Sequence, residues 1–217
     1  MRVISINANC RLKQFVADLP PSDLLLVQEW ASHQQDRSSE ASSYVDMEHV
    51  HATRYLLVAS DAPFEVLLAE ERVMVIDAGG HTIVNVYLPA DGGRPREALL
   101  HHLRDVVLPA YGPVDLVAGD FNLAPRPEDG WHGPEPSSWN AKYERVAFGD
   151  LCSSHGLLDL GADAPWAPTF ERMNKDKMTS FRCDLALAPA GSYVLKEYLH
   201  EFRRSKKTDH SGLLLER

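Results

Sequence analysis

The stretch VAGDFNLAP (117–125) is an apolar run that ends in an acid and an amide, Asp120 and Asn122. Alternate side chains of a strand share a face, so these two point one way and Phe121 the other. Two polar groups on one face at the end of an apolar run are costly to bury unless something pairs with them. A strand-end turn accounts for either residue alone, since Asx residues are common there. A site requires partners elsewhere in the chain, and other strand ends offer them. SIN (5–7) and VQE (27–29) close two further apolar runs, and VNVYLP (84–89) carries Tyr87 near its end. FRCDLAL (181–187) holds Asp184 inside an apolar run, and Asp209-His210 stands shortly before the final one. A central charge such as Asp184 needs a hydrogen-bonding partner, and a histidine is a suitable one. Each piece alone has a bland reading as a solvated strand end or a turn. Their joint occurrence points to one site.

The elements that must position these groups are legible as patterns. Strands are expected at RVISIN, DLLLVQEW, HATRYLLVAS, EVLLAEERVMVIDAGG, HTIVNVYLPA, the 117–125 stretch, FRCDLALAP and SGLLLE, with Gly79-Gly80 as a tight hairpin turn. A short helix is expected over RLKQFVADL (11–19) and a longer one over 94–111, where apolar residues at 98, 99, 103, 106 and 107 have helical spacing. SSWNAKYERVAFGDLCSSHGLLDLG (137–161) reads as a third helical segment, with Ser137 or Ser138 as its N-cap and Gly156 as its stop. Residues 32–43, the Pro/Gly-rich stretch 125–136 and APTFERMNKDKMTS (167–180) read as loops. No repeat or low-complexity linker divides the chain, so one domain over 1–217 is expected. Strands dominate, and a sheet-on-sheet core with helices outside suits the pattern better than a purely parallel sheet.

Bulk composition narrows the class. At 217 residues, with 44% hydrophobic and 24% charged, the chain is an ordinary soluble globular sequence long enough for a substantial core. A net charge of −9 argues against a protein that coats long stretches of nucleic acid, while leaving room for a local basic patch. MRVISINANCRLKQ lacks the apolar core and small-residue cleavage site of a secretory leader, and no apolar run approaches membrane-spanning length. Cys10, Cys152 and Cys183 fit neither a disulfide framework nor a zinc knuckle, and are expected to be reduced, mostly buried thiols of a cytoplasmic protein.

Taken in order, SIN (5–7), VQE (27–29), NVYLP (85–89), GDFN (119–122), FRCD (181–184) and TDH (208–210) resemble the motifs of the endonuclease/exonuclease/phosphatase superfamily, the deoxyribonuclease-I-like fold. The resemblance covers nearly the whole chain. It implies an α/β architecture, a four-layer α/β/β/α sandwich of two mainly antiparallel or mixed sheets flanked by helices. It also implies phosphodiester hydrolysis assisted by a divalent cation, which stabilises charge on the phosphate and leaving oxygens. Hard oxygen ligands suit Mg2+ or Mn2+. By the same resemblance Glu29 is the principal ligand, with Asn7 and Asp209 beside it. Asp120 would orient and deprotonate the attacking water, and Asn122 would hold the phosphate or that water. His210, charged through Asp184, would donate to a phosphate oxygen, and Tyr87 would offer its hydroxyl to the phosphate or the leaving group.

The stretch TFERMNKDKMTSFRCD (169–184) is similar to a loop of the exonuclease III and abasic-site endonuclease branch. There, the aromatics matching Phe170 and Phe181 would pack against a flipped-out abasic sugar, the least costly kind of nucleotide to extrude. Arg172, Lys175, Lys177 and Arg182 would supply charge for backbone contacts. Arg204, Lys206 and Lys207, in the basic run just before Asp209-His210, would add phosphate contacts. The sequence departs from that branch at Ala90, where Asn is usual, at Trp30-Ala31, where Thr-Lys commonly follows the Glu, and at Leu185, where Tyr is usual. The implied partner is nucleic acid, DNA foremost, met by a monomer with no membrane association. A phosphatase acting on a nucleotide or another small phosphate ester is the alternative, and it suits the acidic net charge.

On these roles, Asp120→Asn or His210→Ala is expected to lower turnover by ~10²-fold or more in a protein that still folds. Near-normal turnover of either purified variant refutes the assignment.

Overall fold

The computed structural model describes the whole chain except residues 92, 137–139 and 166 and the side chains of Pro136 and Asn174. Its longest apolar runs form two six-stranded sheets. The first has the order β15 (Val194–Leu199), β16 (Gly212–Glu216), β1 (Arg2–Asn7), β2 (Leu24–Gln28), β4 (Leu56–Ser60) and β3 (His49–Ala52). The second runs β11 (Leu157–Asp159), β14 (Asp184–Pro189), β8 (Leu116–Asp120), β7 (Thr82–Tyr87), β6 (Val73–Asp77) and β5 (Glu65–Ala69). Both sheets are mixed: β1 runs parallel to β2 and β7 parallel to β8, and the other neighbours are antiparallel.

The strands are apolar on both faces because both faces are covered. Leu24, Leu26, Leu56 and Val58 of the first sheet meet Met74, Ile76, Ile83, Leu116 and Ala186 of the second. The alternate residues of the second sheet, among them Val75, Val84, Val117 and Leu187, face Leu100, Leu103, Phe148 and Leu151. Those four come from a helical layer built of α1 (Gly93–His102), a π-helical turn (Leu103–Val107), α2 (Leu108–Ala110) and α3 (Lys142–His155). The outer face of the first sheet, with Ile4, Ile6, Leu25 and Val27, is covered by Leu12, Phe15, Trp30, Tyr44 and Phe202. Phe202 belongs to α4 (His200–Arg204), and Leu12 to a 3-10 turn. Two mixed sheets flanked by helices are thus the α/β architecture expected. Among the described residues no helix is long and apolar enough to cross a membrane.

Several local expectations change. RLKQFVADL forms two 3-10 turns, Leu12–Gln14 and Val16–Asp18, instead of an α-helix. The segment is short, and the residues it buries, Leu12 and Phe15, lie three apart, a spacing that a 3-10 turn stacks on one side. HATRYLLVAS and EVLLAEERVMVIDAGG are each broken by a turn, at 53–55 and 70–72, and form hairpins. Gly79 and Gly80 make the expected turn, with φ of 66° and 81°. The N-cap expected at Ser137 or Ser138 lies outside the described residues; α3 starts at Lys142 with Glu144 bonding back to the Ala141 N–H, and it stops at Gly156 as expected. The buried side of α1 and the π-helical turn after it is Arg96, Leu100, Leu103 and Val107, whereas Ala98 and Val106 face solvent. A buried ion pair between Arg96 and Glu144 of α3, at 2.5 Å, sets that rotation. The expected loop at 167–180 holds a hairpin, β12 (Phe170–Asn174) and β13 (Lys177–Phe181), in a small sheet with β9 (Gly130–His132) and β10 (Glu135–Pro136).

Strand alternation sends Ser5, Asn7 and Gln28 of the first sheet and Asn85, Tyr87, Asp120 and Asp184 of the second into the layer between the sheets. Within it, Gln28 donates to Asn85 Oδ1 (2.7 Å) and Ser5 Oγ (3.3 Å). Asn85 in turn donates across to the Val27 and Leu57 carbonyls at 3.3 and 3.2 Å. This buried clasp joins the sheets directly beneath the polar strand ends. Asn85→Ala is expected to cost roughly 2–4 kcal/mol in urea unfolding, because it leaves the Gln28 amide without its nearest acceptor.

Candidate active site

The polar strand ends meet for a topological reason. The parallel strands β1 and β2, and likewise β7 and β8, finish at the same end, where β14 and β16, antiparallel to their neighbours, begin. Asp120 closes β8 directly opposite Asp184, which opens β14, and Tyr87 lies beside Asp120 on the other flank. Gly119, just before Asp120, has φ of 151°, and a Cβ there would collide with the Val86 carbonyl oxygen. The last turn of β8 therefore runs against β7 more closely than any other residue allows.

Two like charges opposed across a ladder repel, and here both are buried. His210 resolves the conflict. Its Nδ1 lies 2.9 Å from Asp184 Oδ2, while Nε2 is 4.0 Å from Asp120 Oδ2 and 3.9 Å from Asp209 Oδ1. Burial alone would push this imidazole down, but the charges of Asp184 and Asp120 outweigh it and hold the group well above its usual value. Burial pushes the Asp120 carboxyl up to about 7, with Asp184 adding to the effect and His210 opposing it. The peptide N–H of Asn122 donates to Asp120 Oδ1 at 2.8 Å, and the Asn122 amide donates to the Leu88 carbonyl at 2.9 Å and to Asp120 Oδ2 at 3.2 Å. The backbone follows suit: Asn122 adopts φ of 46° to turn its N–H back on Asp120.

Glu29 follows β2 with φ of 48°. Its Oε1 accepts from the Tyr87 hydroxyl, and from the Asn7 amide at 3.3 Å. Burial and the Glu29 charge both raise the Tyr87 phenol far above its ordinary value, so it serves as a neutral donor. Asn7 also donates to Asp120 Oδ2 at 2.8 Å while its Oδ1 accepts from the Asn9 N–H at 2.9 Å. Asn9 donates to Asp209 Oδ1 at 2.7 Å. Glu29, Asp120 and Asp209 are thereby linked through two amides into one hydrogen-bonded group of hard oxygen atoms, the donor type that hard divalent cations take. Asn9 is the member that sequence reading overlooked.

The group opens into a cleft of about 660 Å³, lined further by Phe170, Arg172, Met173, Lys175, Thr179 and Phe181 of the hairpin. Phe170 stacks on Phe181 with centroids 6.3 Å apart and lies 5.0 Å from the His210 ring. No protein-family model and no curated protein matches this sequence. Solved structures do. A 3′ phosphatase, NExo, from Neisseria, bound to a product DNA hairpin, superposes with a TM-score of 0.71 at 21% identity, covering 100% of this chain and 98% of that one. A 3′-5′ exonuclease (NExo) from Neisseria meningitidis gives 0.70 at 22% identity over 100% and 99%. An AP endonuclease from Archaeoglobus fulgidus gives 0.68 at 16% identity over 100% and 98%. This chain has the deoxyribonuclease-I-like fold.

In the deoxyribonuclease-I-like frame, the acids, amides, phenol and imidazole expected at the site, Asn7, Glu29, Tyr87, Asp120, Asn122, Asp184, Asp209 and His210, lie together at one end of the sheets. The cationic expectations divide. Arg172 and Lys175 line the cleft; Lys177, Arg204 and Lys206 are exposed away from its lining, and Lys207 pairs with Asp18 at 2.6 Å. Arg182 has a different place altogether. It is 3% exposed and forks between Asp129 (3.0 Å) and Asp159 (2.6 Å), so its charge is spent inside the protein. Neutralised between two acids, it bolts the small sheet to β11 and is not open to a ligand. Cys183 is buried beside Asp184, and burial raises its thiol well above the usual value. Cys152 is half-buried, but Cys10 is exposed, against expectation.

The Arg182 network carries a pH signature. Burial would raise the Asp129 carboxyl, but hydrogen bonds from Arg182 and Arg126 outweigh it and hold the group below the ordinary value. A depressed folded-state value stabilises the protein above the unfolded carboxyl's range, and that stability is lost as pH falls through the folded value. Asp129→Asn is expected to lose roughly 3–5 kcal/mol at neutral pH, because it breaks a buried pair from one side. Its unfolding free energy should then fall less steeply than that of the wild type between about pH 5 and pH 2, as followed by urea titration at each pH.

Proposed function

We propose that this protein is a phosphodiesterase of the Mg2+ or Mn2+ class that hydrolyses the backbone of nucleic acid, with DNA as its substrate. The observation that supports this reading is the meeting of a hard-oxygen group with a buried Asp184–His210 pair at the mouth of a cleft whose other wall is aromatic and cationic. Glu29 is the ligand best placed to hold the cation, with Asp209 and Asn7 beside it. When bound, the cation supplies Lewis-acid stabilisation of charge on the phosphate oxygens.

The chain's own residues account for the proton movements. Asp120, with a carboxyl raised toward neutrality, accepts the proton of the water whose oxygen attacks phosphorus. Asn7 and Asn122 hold that carboxylate in place from both sides. His210 is kept protonated by Asp184 and presents Nε2–H where negative charge grows on the phosphate as the bond to the leaving oxygen breaks. Phe170 and Phe181 offer an apolar wall to a sugar or base, and Arg172 and Lys175 offer charge to the flanking phosphates.

One observation favours a second reading. Among the described residues Arg172 and Lys175 are the Lys and Arg side chains lining the cleft, on a chain of net charge −9. A site gripping so few phosphates also suits removal of a terminal phosphate or hydrolysis of a small phosphate ester. Incubating the protein with Mg2+ or Mn2+ and supercoiled plasmid, abasic duplex, single strand, RNA and mononucleotides separates the two. Cleavage of DNA that stops on adding a chelator is the expected result. Phosphate release from mononucleotides alone replaces the nuclease reading, and cleavage indifferent to chelator overturns the cation's role. Arg172→Ala is expected to raise KM for DNA ~10-fold with little change in kcat, and to reduce the salt dependence of binding by about one phosphate contact.

A further inference from the structure

Glu29 has two faces. Its Oε1 turns inward to Tyr87 and Asn7, while its Oε2 turns outward to His33, with His33 Nε2 at 3.7 Å. Beside them is Cys10, whose Sγ lies 3.9 Å from both ring nitrogens of His33. One donor atom from each of Cys10, Glu29 and His33 falls within 4.8 Å of the other two. A tetrahedral ion with bonds of roughly 2.0–2.3 Å to sulfur, nitrogen and oxygen sets its ligands about 3.3–3.6 Å apart, so the two edges at His33 must close by only a few tenths of an ångström and the Cys10–Glu29 edge by about 1.5 Å at most.

The three residues are held in place by hydrogen bonds of their main chains. The Cys10 N–H donates to the Glu29 carbonyl at 2.7 Å, which locks the bend after β1 to the end of β2. The His33 carbonyl accepts from the Arg54 guanidinium at 2.9 and 2.5 Å, and its ring lies 5.1 Å from that of Tyr55. Cys10 is exposed and the His33 and Glu29 side chains are 34% and 18% exposed, so an ion can enter from solvent. The donor chemistry selects the ion. Thiolate and imidazole favour zinc-like cations and are poor ligands for Mg2+.

We propose that Cys10, Glu29 and His33 form a site for a zinc-class divalent cation on the outer side of the cleft, and that filling it withdraws Glu29 from the Mg2+ or Mn2+ chemistry. The second clause rests on the function proposed above; the first does not. Binding exchanges the thiol proton of Cys10, released to solvent, for a sulfur–metal bond. Three protein ligands leave the fourth position to water. Zinc would therefore act as an inhibitor that competes for a shared carboxylate without entering the aromatic part of the cleft.

The test uses Co2+ as a visible stand-in for Zn2+ on the purified full chain. Wild type is expected to show a near-ultraviolet thiolate-to-Co2+ charge-transfer band that one equivalent of Zn2+ abolishes. Cys10→Ser should lose the band, and His33→Ala should weaken Co2+ binding by at least ~10-fold, since even outer-shell changes cost that much. Competition is read in two ways, by Mg2+-driven cleavage and by release of bound Mn2+ in paramagnetic resonance. Zn2+ should suppress the first and cause the second in wild type but in neither variant, and both variants should keep Mg2+-driven cleavage within about two-fold of wild type. No band in wild type, or a band that survives Cys10→Ser and disappears in Cys183→Ser, overturns the site. A band with neither Mn2+ release nor inhibition overturns the competition. A band with Mn2+ release but no cleavage of any substrate supports the cation site and its competition and instead removes the proposed function.

Discussion

Two carboxylates face each other across adjacent strands in the protein interior, and one imidazole keeps them there. Asp120 and Asp184 are paired in the β8–β14 register, and neither has water to disperse its charge. A buried acid in this position would ordinarily protonate. Placing His210 between them allows charge to persist at the end of the sheet, and the surrounding structure serves that placement. Buried Thr208 bonds the Asn7 carbonyl and accepts from the His210 N–H, fixing the histidine to β1. Thr169 accepts from the Cys183 and Asp184 N–H groups, fixing the acid's backbone from the other side. Two threonines thus set the distance between an acid that opens β14 and a base that stands just before β16.

The same economy governs the layer between the sheets. It is apolar along most of its length and polar at the end where the parallel strands finish, where the Ser5–Gln28–Asn85 clasp gives way to the Asn7–Glu29–Asp120 group. Most polar groups there answer another, Gln28 Oε1 being the buried exception in the clasp, and this is what allows so many to be removed from water. Arg96 extends the support to the helical layer: besides Glu144, its guanidinium donates to the Asn122 carbonyl at 2.5 Å and the Pro89 carbonyl at 3.1 Å. The loop that carries Asn122 is therefore held by a helix on the far side of its own sheet.

Sequence reading reached what strand geometry controls. Asp120 and Asn122 do meet, as their spacing suggested, although β8 ends at Asp120 and a left-handed turn at Asn122, in place of strand alternation, brings its N–H and amide back to Asp120. The need of Asp184 for a partner followed from its apolar neighbours. It did not reach charges whose burial depends on distant partners. Arg96 and Glu144 lie 48 residues apart and Arg182 and Asp129 lie 53 apart, and each looks like a surface residue until its counterpart is in place. Arg182 is expected to meet a ligand because it sits in the stretch similar to the abasic-site branch, whereas its fork is filled by acids. The 170–181 hairpin looked like a loop because its tip is all Asn, Lys and Asp; its signal was the i, i+2 spacing that puts Phe170 and Arg172 on one face opposite Phe181 and Thr179, with which they pair in register. Asn9 gave no signal, since its importance comes from a left-handed bend, with φ of 45°, that no residue pattern announces.

The base of that hairpin is not free to wander. Phe170 bridges to His210 through the backbone, the Glu171 N–H reaches the Asp209 carbonyl, and Arg203 pairs with Glu171. The recognition wall and the acid–imidazole segment are consequently one mechanical unit, while the tip at Lys175-Asp176 projects beyond it. On the proposed function, variation at the tip alters which substrate is gripped without disturbing bond breaking, whereas variation at the root does not. A lineage built on this scaffold has its room for diversification in a few outermost residues.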